Sequence, residues 1–211
     1  MKRDKISNAV IRRLPRYCRH LAALRREGVE RISSSALGDK MGLTASQIRQ
    51  DLSCFGEFGQ QGYGYNVGTL YQEIREILHL NQQKEGILIG VGNLGRALLR
   101  NFRFADSGIH LAAAFDVAPE CIGTEVNGVE VLDAAGLANY LDDHDISVAV
   151  LTLPARFAEE TGRLLIEHGI RGIWNFTSVD FEAGEDHADV VVESLHFSDS
   201  LRVLSYLIGA F

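Results

Sequence analysis

The chain has 211 residues, of which 46% are hydrophobic and 23% are charged, a composition typical of a soluble globular protein with one or two domains. It contains no run of roughly 18 apolar residues, and its N-terminus lacks the apolar stretch of a secretory signal. We therefore expect no membrane-spanning segment. Cys18, Cys54 and Cys121 are too few and too far apart for a disulfide framework, which favours a cytoplasmic location.

The net charge of −7 is distributed unevenly along the chain. Residues 1–62 contain 12 Lys and Arg against 6 Asp and Glu, a net charge of +6, whereas residues 63–211 contain 9 against 22, a net charge of −13. A basic segment attached to an acidic body predicts that the first part of the chain meets a polyanion. The alternative left open is a locally basic helix whose arginines are only solvated.

The first predicted element is a helix that Ser7 or Asn8 caps and that Gly28 ends. Pro15 lies inside its pattern, so we expect a break or a restart of the helix there. The apolar residues at helical spacing are Ile11, Leu14, Tyr17, Leu21 and Leu24.

Two short helices joined by a tight turn at Gly42 follow, with Ser33 or Ser34 capping the first. Thr44 and Gln47 form a capping box at the start of the second helix. We expect its apolar residues, Ile48 and Leu52, to be buried and its polar residues to point away from the core. This is a helix-turn-helix pattern, although a purely structural helical hairpin shares it.

A recognition helix must bury one face and offer polar side chains to base edges in the major groove. A glycine-rich hairpin with alternating aromatic residues, FGEFGQQGYGYNV, follows the second helix and is predicted to be a wing. The predicted DNA-binding residues are Thr44, Ser46, Gln47, Arg49 and Gln50 in the helix and Gln61, Gly62 and Tyr63 in the wing. Residues 66–84 then predict an amphipathic connecting helix that ends near Asn81.

The second part of the chain opens with a short apolar strand, residues 86–89, that runs into Gly90-Val91-Gly92-Asn93-Leu94-Gly95 and then into a helix. This is a G-x-G-x-x-G motif between a strand and a helix, the arrangement that holds the pyrophosphate of a dinucleotide at the helix N-terminus. Asp116 ends the next strand about 20 residues later, where a carboxylate would bind the adenosine ribose hydroxyls and repel a 2′-phosphate. The pattern therefore predicts NAD(H) as the cofactor.

The remaining residues alternate between strands and helices, which predicts a doubly wound parallel sheet of Rossmann type. The predicted strands span 129–132, 146–153, 172–176 and 190–193, and the predicted helices span 134–141 and 157–168. Ligands bind at the carboxyl ends of such strands, so Thr152 and Pro154, with Leu153, Asn175 and Phe176, are expected near the nicotinamide.

The last predicted element is an apolar amphipathic helix from Phe197 to Phe211. A helix-turn-helix that reads palindromic DNA needs a dimer, so we expect this helix to cross to a partner. The predicted domains are a winged helix-turn-helix in residues 1–80, a Rossmann domain in 81–195 and a dimerisation helix in 196–211.

The whole chain resembles the Rex family of redox-sensing transcriptional repressors. The resemblance is carried by GVERISS, LTASQIRQDLSCFGEFG, GYGY, GVGNLGRAL, AAFDV, LTLPA and GIWNF. It implies a cytoplasmic homodimer with swapped C-terminal helices, Phe197 at the cofactor site, and operator DNA that is released when NADH closes the dimer. It also implies that NAD⁺ competes with NADH but leaves DNA binding intact.

The chain departs from this family at three places. Gln50 replaces a lysine of the recognition helix, and Asn101 or its neighbour replaces a tyrosine near the nicotinamide. His196 replaces an aspartate, which puts in doubt the implied ion pair between subunits with an N-terminal arginine, possibly Arg13.

Two rival functions remain open at this level. One is a DNA-binding regulator that senses another ligand, such as a CoA or sugar derivative. The other is an NAD-dependent dehydrogenase, which the sequence disfavours because little chain is left for a substrate domain. His110, His144, His168 and His187 also lack an evident acid–base partner. We therefore expect no enzyme activity.

Overall fold

The computed structural model describes residues 6–56, 58–60, 63–184 and 187–209. The chain divides into two compact units, with the boundary between Gln82 and Gln83. None of the helices in the described part of the chain combines the length and the apolarity needed to span a bilayer.

The first unit contains four helices and a three-stranded antiparallel sheet among its described residues. The helices are α1 (Asn8–Arg26), α2 (Ser34–Met41), α3 (Ala45–Ser53) and α4 (Val67–Ile77), and the strands are β1 (Arg31–Ile32), β2 (Gly59–Gln60) and β3 (Gly64–Asn66). The strand order is β1-β3-β2, so β2 and β3 form the predicted hairpin. Gln61 and Gly62, at its predicted tip, lie outside the described residues.

Helix α1 begins at the Ser7 cap, whose side chain accepts from the Val10 N–H, and ends at Arg26, two residues before Gly28. The predicted break at Pro15 is wrong, because α1 continues through it. Proline has no N–H to donate to the carbonyl of Ile11, but both residues are exposed, so water can bind that carbonyl.

Helix α4 packs into the core of the first unit instead of serving only as a connection. It ends at Ile77, four residues earlier than predicted, and Val67, Leu70 and Ile74 are buried in one cluster with the apolar face of α1. Arg75 fixes the following turn by donating to the Leu80 carbonyl. The helix is therefore part of the winged helix-turn-helix itself.

The described residues of the second unit form a seven-stranded sheet with helices on both faces. Its strands are β4 (Lys84–Ile89), β5 (Ile109–Asp116), β6 (Glu125–Val126), β7 (Val129–Asp133), β8 (Val148–Leu151), β9 (Gly172–Asn175) and β10 (Val191–Ser194). Its helices are α5 (Asn93–Asn101), α6 (Leu137–Asp143), α7 (Ala158–Glu167) and α8 (Phe197–Gly209). The strand order is β10-β9-β8-β4-β5-β7-β6. The chain adds strands on one side of β4 and then on the other, beginning with β8, and this change in strand order creates the ligand crevice of doubly wound sheets.

All strand pairs of this sheet are parallel except β6 with β7, which is antiparallel. The edge strand β6 was not predicted. Asn127 and Gly128 join β6 to β7 with positive φ angles of 53° and 83°, the conformation that an Asn-Gly hairpin turn requires. This dipeptide between two valines was the signal that could have revealed the hairpin.

Successive residues of the central strand enter different cores. Ile87 and Ile89 pack in the cluster that includes Leu141 of α6 and Leu165 of α7, whereas Leu88 packs with Leu99 of α5 on the opposite face. The described residues between β9 and β10 form no α-helix, so the α5 face of these two strands is covered less completely. A groove of about 300 Å³ remains there, lined by Phe102, Trp174 and Val191 among others.

Candidate functional site

The turn between α2 and α3 is built around two glycines. Gly42 ends α2 in the left-handed conformation, with φ of 66°. A Cβ on Gly38 would overlap the carbonyl oxygen of Leu43, so this close approach also requires glycine. Thr44 caps α3 by accepting from the N–H of Gln47 at 3.1 Å, which is one of the two hydrogen bonds of the predicted capping box. The role of Gly38 was not foreseen.

The outer face of α3 is polar and its inner face is apolar. Ile48 and Leu52 are fully buried, as predicted, whereas Ser46, Arg49 and Gln50 are exposed. The structure therefore brings the predicted recognition residues to one exposed face of a well-anchored helix.

An ion pair anchors α3 to α1. The carboxylate of Asp51 is 2% exposed and accepts hydrogen bonds from Arg13 Nε at 2.7 Å, Arg13 Nη2 at 2.8 Å and the Tyr17 hydroxyl at 3.0 Å. The hydrogen bond to Asp51 raises the pKa of Arg13 above its usual value, and burial followed by the same carboxylate raises that of Tyr17. Arg13 is therefore already bidentate to Asp51 of its own chain, and its implied ion pair between subunits stays a prediction.

Arginines line the base of the wing as well. Tyr63 is 70% exposed, and the guanidinium of Arg31 lies 5.9 Å from its ring centroid and donates to its carbonyl. Arg49 of α3 donates from Nη1 to the Ser34 hydroxyl of α2 at 2.9 Å. The arrangement gathers positive charge beside an exposed helix and an exposed hairpin.

The three motif glycines between β4 and α5 have different roles. Gly90 has φ of +98°, and a Cβ on it would lie 2.8 Å from the backbone of Thr152. A Cβ on Gly95 would overlap the carbonyl oxygen of Gly90, so both positions are required by packing. Gly92, at the N-terminus of α5, has open space where its Cβ would be, and no side chain caps the helix. Backbone N–H groups at this end are thus accessible to an anion.

Asp116 lies beside this loop, at the end of β5. Its Oδ2 accepts from the N–H of Val91 at 2.5 Å, and its Oδ1 accepts from the N–H of Ala118 at 2.8 Å. The carboxylate is half-buried, and its two backbone donors fix its orientation at the edge of the crevice. Next to it, Arg96 donates to the Sγ of Cys121 at 3.2 Å.

The carboxyl ends of β8 and β9 close the other side of the crevice. Thr152 Oγ1 donates to the carbonyl of Gly90 at 2.7 Å, which ties β8 to the glycine loop, and Pro154 is exposed two residues later. Asn175 is fully buried, and its amide donates to the Val179 carbonyl and the Ser194 hydroxyl. Asn175 therefore holds β9 to its neighbours instead of facing a ligand.

Helix α8 begins beside these strand ends and exposes its apolar side chains. Phe197 is 60% exposed, with its ring centroid 6.1 Å from that of Phe176. The exposed apolar residues along the rest of the helix are Leu201, Val203, Leu204, Tyr206, Leu207 and Ile208. No described residue of α8 is buried.

At two of the three places where the chain departs from the family it resembles, the residues make contacts within the chain. His196 lies 2.9 Å from the carboxylate of Asp180, whose hydrogen bond raises the pKa of the imidazole. Asn101 donates to the Ala97 carbonyl, and Phe102 packs edge-on against Phe104. Across the described ranges, no three potential metal-ligating side chains form a cluster.

Comparisons with known proteins match both units. The protein-family model for a putative DNA-binding protein N-terminus matches residues 5–53, and the family model for a CoA-binding domain matches residues 81–179. The redox-sensing transcriptional repressor Rex of Clostridium botulinum (strain Hall) is 47% identical over 208 residues, which cover 99% of this chain and 98% of the relative. The chain belongs to the Rex family.

Solved structures of a Rex-family repressor, RSP, have the same fold. RSP in complex with β-NAD⁺ and operator DNA matches with a TM-score of 0.91 and 44% identity, covering 99% of this chain and 94% of that one. RSP in complex with β-NADH matches with a TM-score of 0.88 and 41% identity, covering 97% and 95%. The predicted Rex family and the predicted fold class, a winged helix-turn-helix followed by a Rossmann-type sheet, are confirmed.

Proposed function

We propose that this Rex-family chain is a transcriptional repressor that binds palindromic operator DNA and leaves it when NADH binds. The observation that carries the proposal is the crevice at Gly92 and Asp116, on a chain whose first unit exposes a polar recognition helix. RSP, which shares the fold along nearly the whole chain, has been solved with NAD⁺ and operator DNA and with NADH.

The operator would be read by α3 and the wing. Arg49 and Gln50 have the donors and acceptors that suit guanine and adenine edges in the major groove. Thr44, Ser46 and Gln47, at the exposed start of α3, would contact bases or the neighbouring phosphates. In the wing, Tyr63 with Gln61 and Gly62 would lie along the sugar–phosphate backbone.

The dinucleotide would lie across the end of the sheet. The pyrophosphate would accept from the N–H groups around Asn93, Leu94 and Gly95, which Gly92 leaves uncovered. Asp116 would bind the adenosine ribose, and its negative charge would disfavour the 2′-phosphate of NADP(H). Thr152, Pro154 and Phe197 would surround the nicotinamide, at the carboxyl ends of the strands.

The functional molecule would be a homodimer in which α8 crosses between subunits. The apolar residues of α8 are exposed, and the α5 face of β9 and β10 has an apolar groove beside Trp174 and Val191. If α8 of each copy packed into the groove of the other copy, a large apolar surface would be removed from water. A two-fold dimer would also present two recognition helices to the two half-sites of a palindrome.

The match of residues 81–179 to a CoA-binding domain model favours one alternative, a repressor that senses a CoA-type nucleotide. The adenosine of CoA carries a 3′-phosphate, so Asp116 beside the ribose disfavours it. We also propose that the chain lacks dehydrogenase activity. Turnover of NADH with simple carbonyl substrates would contradict that part of the proposal.

The proposal is tested by operator titrations at fixed salt, because affinity for DNA changes steeply with ionic strength. The duplex is a palindrome selected with the wild-type chain from a random library. NADH, NAD⁺, NADPH and CoA are added separately, and binding is followed by fluorescence anisotropy. We expect release by NADH and retention with the other three. Binding that none of them changes would refute the sensor function and leave DNA binding intact.

A further inference from the structure

The polar face of the recognition helix is asymmetric. At 100° per residue, Ser46, Arg49, Gln50 and Ser53 of α3 share one face, with Arg49 at one edge of it and Gln50 at the other. The side chain of Arg49 extends from that edge to the first residue of α2, where its Nη1 donates to Ser34 Oγ at 2.9 Å. The guanidinium therefore has a hydrogen-bond partner within the chain in the absence of DNA.

The Ser34 hydroxyl is not needed to build the helix on which it lies. Ser33 caps α2 by accepting from the Ala36 N–H at 3.1 Å, so this terminus is already satisfied. Arg49 has a second neighbour in the wing, Tyr65 of β3. Burial raises the pKa of the Tyr65 phenol, and the positive charge of Arg49 opposes that rise. The hydrogen bond to Ser34 is the contact that holds the guanidinium at the start of α2.

We propose that Ser34 is a positioning residue for operator recognition, acting through Arg49. An arginine side chain loses considerable rotamer entropy when it is ordered, and a partner that orders it in the free protein reduces that loss upon binding. With one Nη1 hydrogen on Ser34, its other donors remain available for the two acceptors of a guanine edge. This inference rests on the proposed function, because it assumes that α3 reads the operator.

A structural role and a positioning role predict different effects. Both side chains of this hydrogen bond are accessible to solvent, so its loss should hardly change the stability of the unit. Its loss should instead weaken binding to the operator, where guanidinium geometry matters, and leave binding to unrelated DNA unchanged. Ser35 offers a matched control, because it is the adjacent exposed serine and no hydrogen bond of its side chain is found among the described residues.

The test compares the wild-type chain with Ser34→Ala, Ser34→Thr and Ser35→Ala. Anisotropy at fixed salt gives the affinity for the selected palindrome and for a scrambled duplex of equal length and composition. We expect Ser34→Ala to weaken operator binding roughly three- to tenfold, the loss of one hydrogen bond, with no change on scrambled DNA and no change in Tm. Ser34→Thr, which keeps the acceptor, and Ser35→Ala should bind like the wild-type chain.

A double-mutant cycle with Arg49→Ala separates the positioning role from an independent one. If Ser34 acts through Arg49, adding Ser34→Ala to Arg49→Ala has no further effect on operator binding. Additive losses, equal losses on both duplexes, or wild-type affinity of Ser34→Ala for the operator would overturn the inference. Failure of the wild-type chain to prefer the palindrome would instead refute the proposed function.

Discussion

Gly92 differs from the other two motif glycines, because only ligand binding would require it. Its φ of −72° suits any residue, and a Cβ there would meet no other atom within 4 Å. We expect Gly92→Ala to fold normally but to bind NADH at least about tenfold more weakly, since a methyl group would separate the pyrophosphate from the backbone N–H groups. Gly136→Ala, with φ of −89° and similar open space, is the control. Calorimetric titration with NADH checks it, and unchanged affinity in a folded Gly92→Ala variant would contradict the assignment.

We expect the pKa values of two histidines of the chain to depart in opposite directions from the usual value near 6.5. The pKa of His196 is raised, first by its hydrogen bond to Asp180 and also by the nearby Asp199. The pKa of His20 is lowered, first by burial and then by the positive charges around it, Arg19, Arg16 and Lys40.

An NMR titration of the imidazole resonances tests both directions at once. Because folding raises the pKa of His196, its pair with Asp180 stabilises the base of α8 fully below about pH 6.5 and weakens as the pH rises through the folded-state value. Asp180→Asn should lower the pKa of His196 and leave that of His20 unchanged. If the pKa of His196 were the same in both proteins, Asp180 would not be the group that raises it.

At the scale of elements, the ion pair between α1 and α3 should be essential for the first unit. Arg13→Met would leave the buried Asp51 carboxylate with the Tyr17 hydroxyl as its only side-chain donor among the described residues, and removing one partner of a buried pair costs about 3 kcal/mol. Arg19→Met, at an exposed position of the same helix, should cost less than about 0.5 kcal/mol. Urea unfolding of the full chain, followed by circular dichroism, measures both. Equal costs would show that the pair is not structural.

Helix α8 should determine the oligomeric state. Leu204 belongs to its exposed apolar stripe, whereas Ser205 lies about 100° further around the helix, on the polar side. We expect Leu204→Asp to shift the chain from dimer to monomer in sedimentation velocity and Ser205→Asp to leave the dimer intact. A dimer that survives Leu204→Asp would exclude this stripe from the interface.

Elements with strong local signals could be predicted from the sequence. The Thr44 cap and Gly42 delimit the two helices of the DNA-binding motif, and the glycines after β4 fix the strand-to-helix turn. The continuous helix through Pro15 could not be predicted, because it depends on exposure that only tertiary packing determines. The same holds for α4, whose place in the first core follows from its contacts with α1 and not from its own periodicity.

The partners within the candidate sites were harder to predict than the residues themselves. The sequence indicated Arg49 and Asp116, but not that Ser34 and the Val91 N–H bind them, because these contacts join positions 15 and 25 residues apart. The burial of Asp51 was missed for a related reason. An aspartate on a polar-looking helix is normally solvated, and only the packing of α1 against α3 encloses it.

At the scale of the whole molecule, redox sensing requires that one chain carries two sites that influence each other. Its first 62 residues have a net charge of +6 and the remainder has −13, so the net positive charge lies in one part of the chain. Two sites on one chain are not sufficient for a sensor, because NADH must also bind with different affinity to the free and the operator-bound states. By thermodynamic reciprocity, operator DNA must then weaken NADH binding by the same factor by which NADH weakens operator binding.

The most direct test is therefore the affinity of the wild-type chain for NADH, measured calorimetrically with and without saturating operator duplex at one salt concentration. We expect weaker NADH binding in the presence of the operator, by the factor found in the reverse titration, and no such change with scrambled DNA. Equal NADH affinity in both states would contradict it, because the two units would then bind their ligands independently.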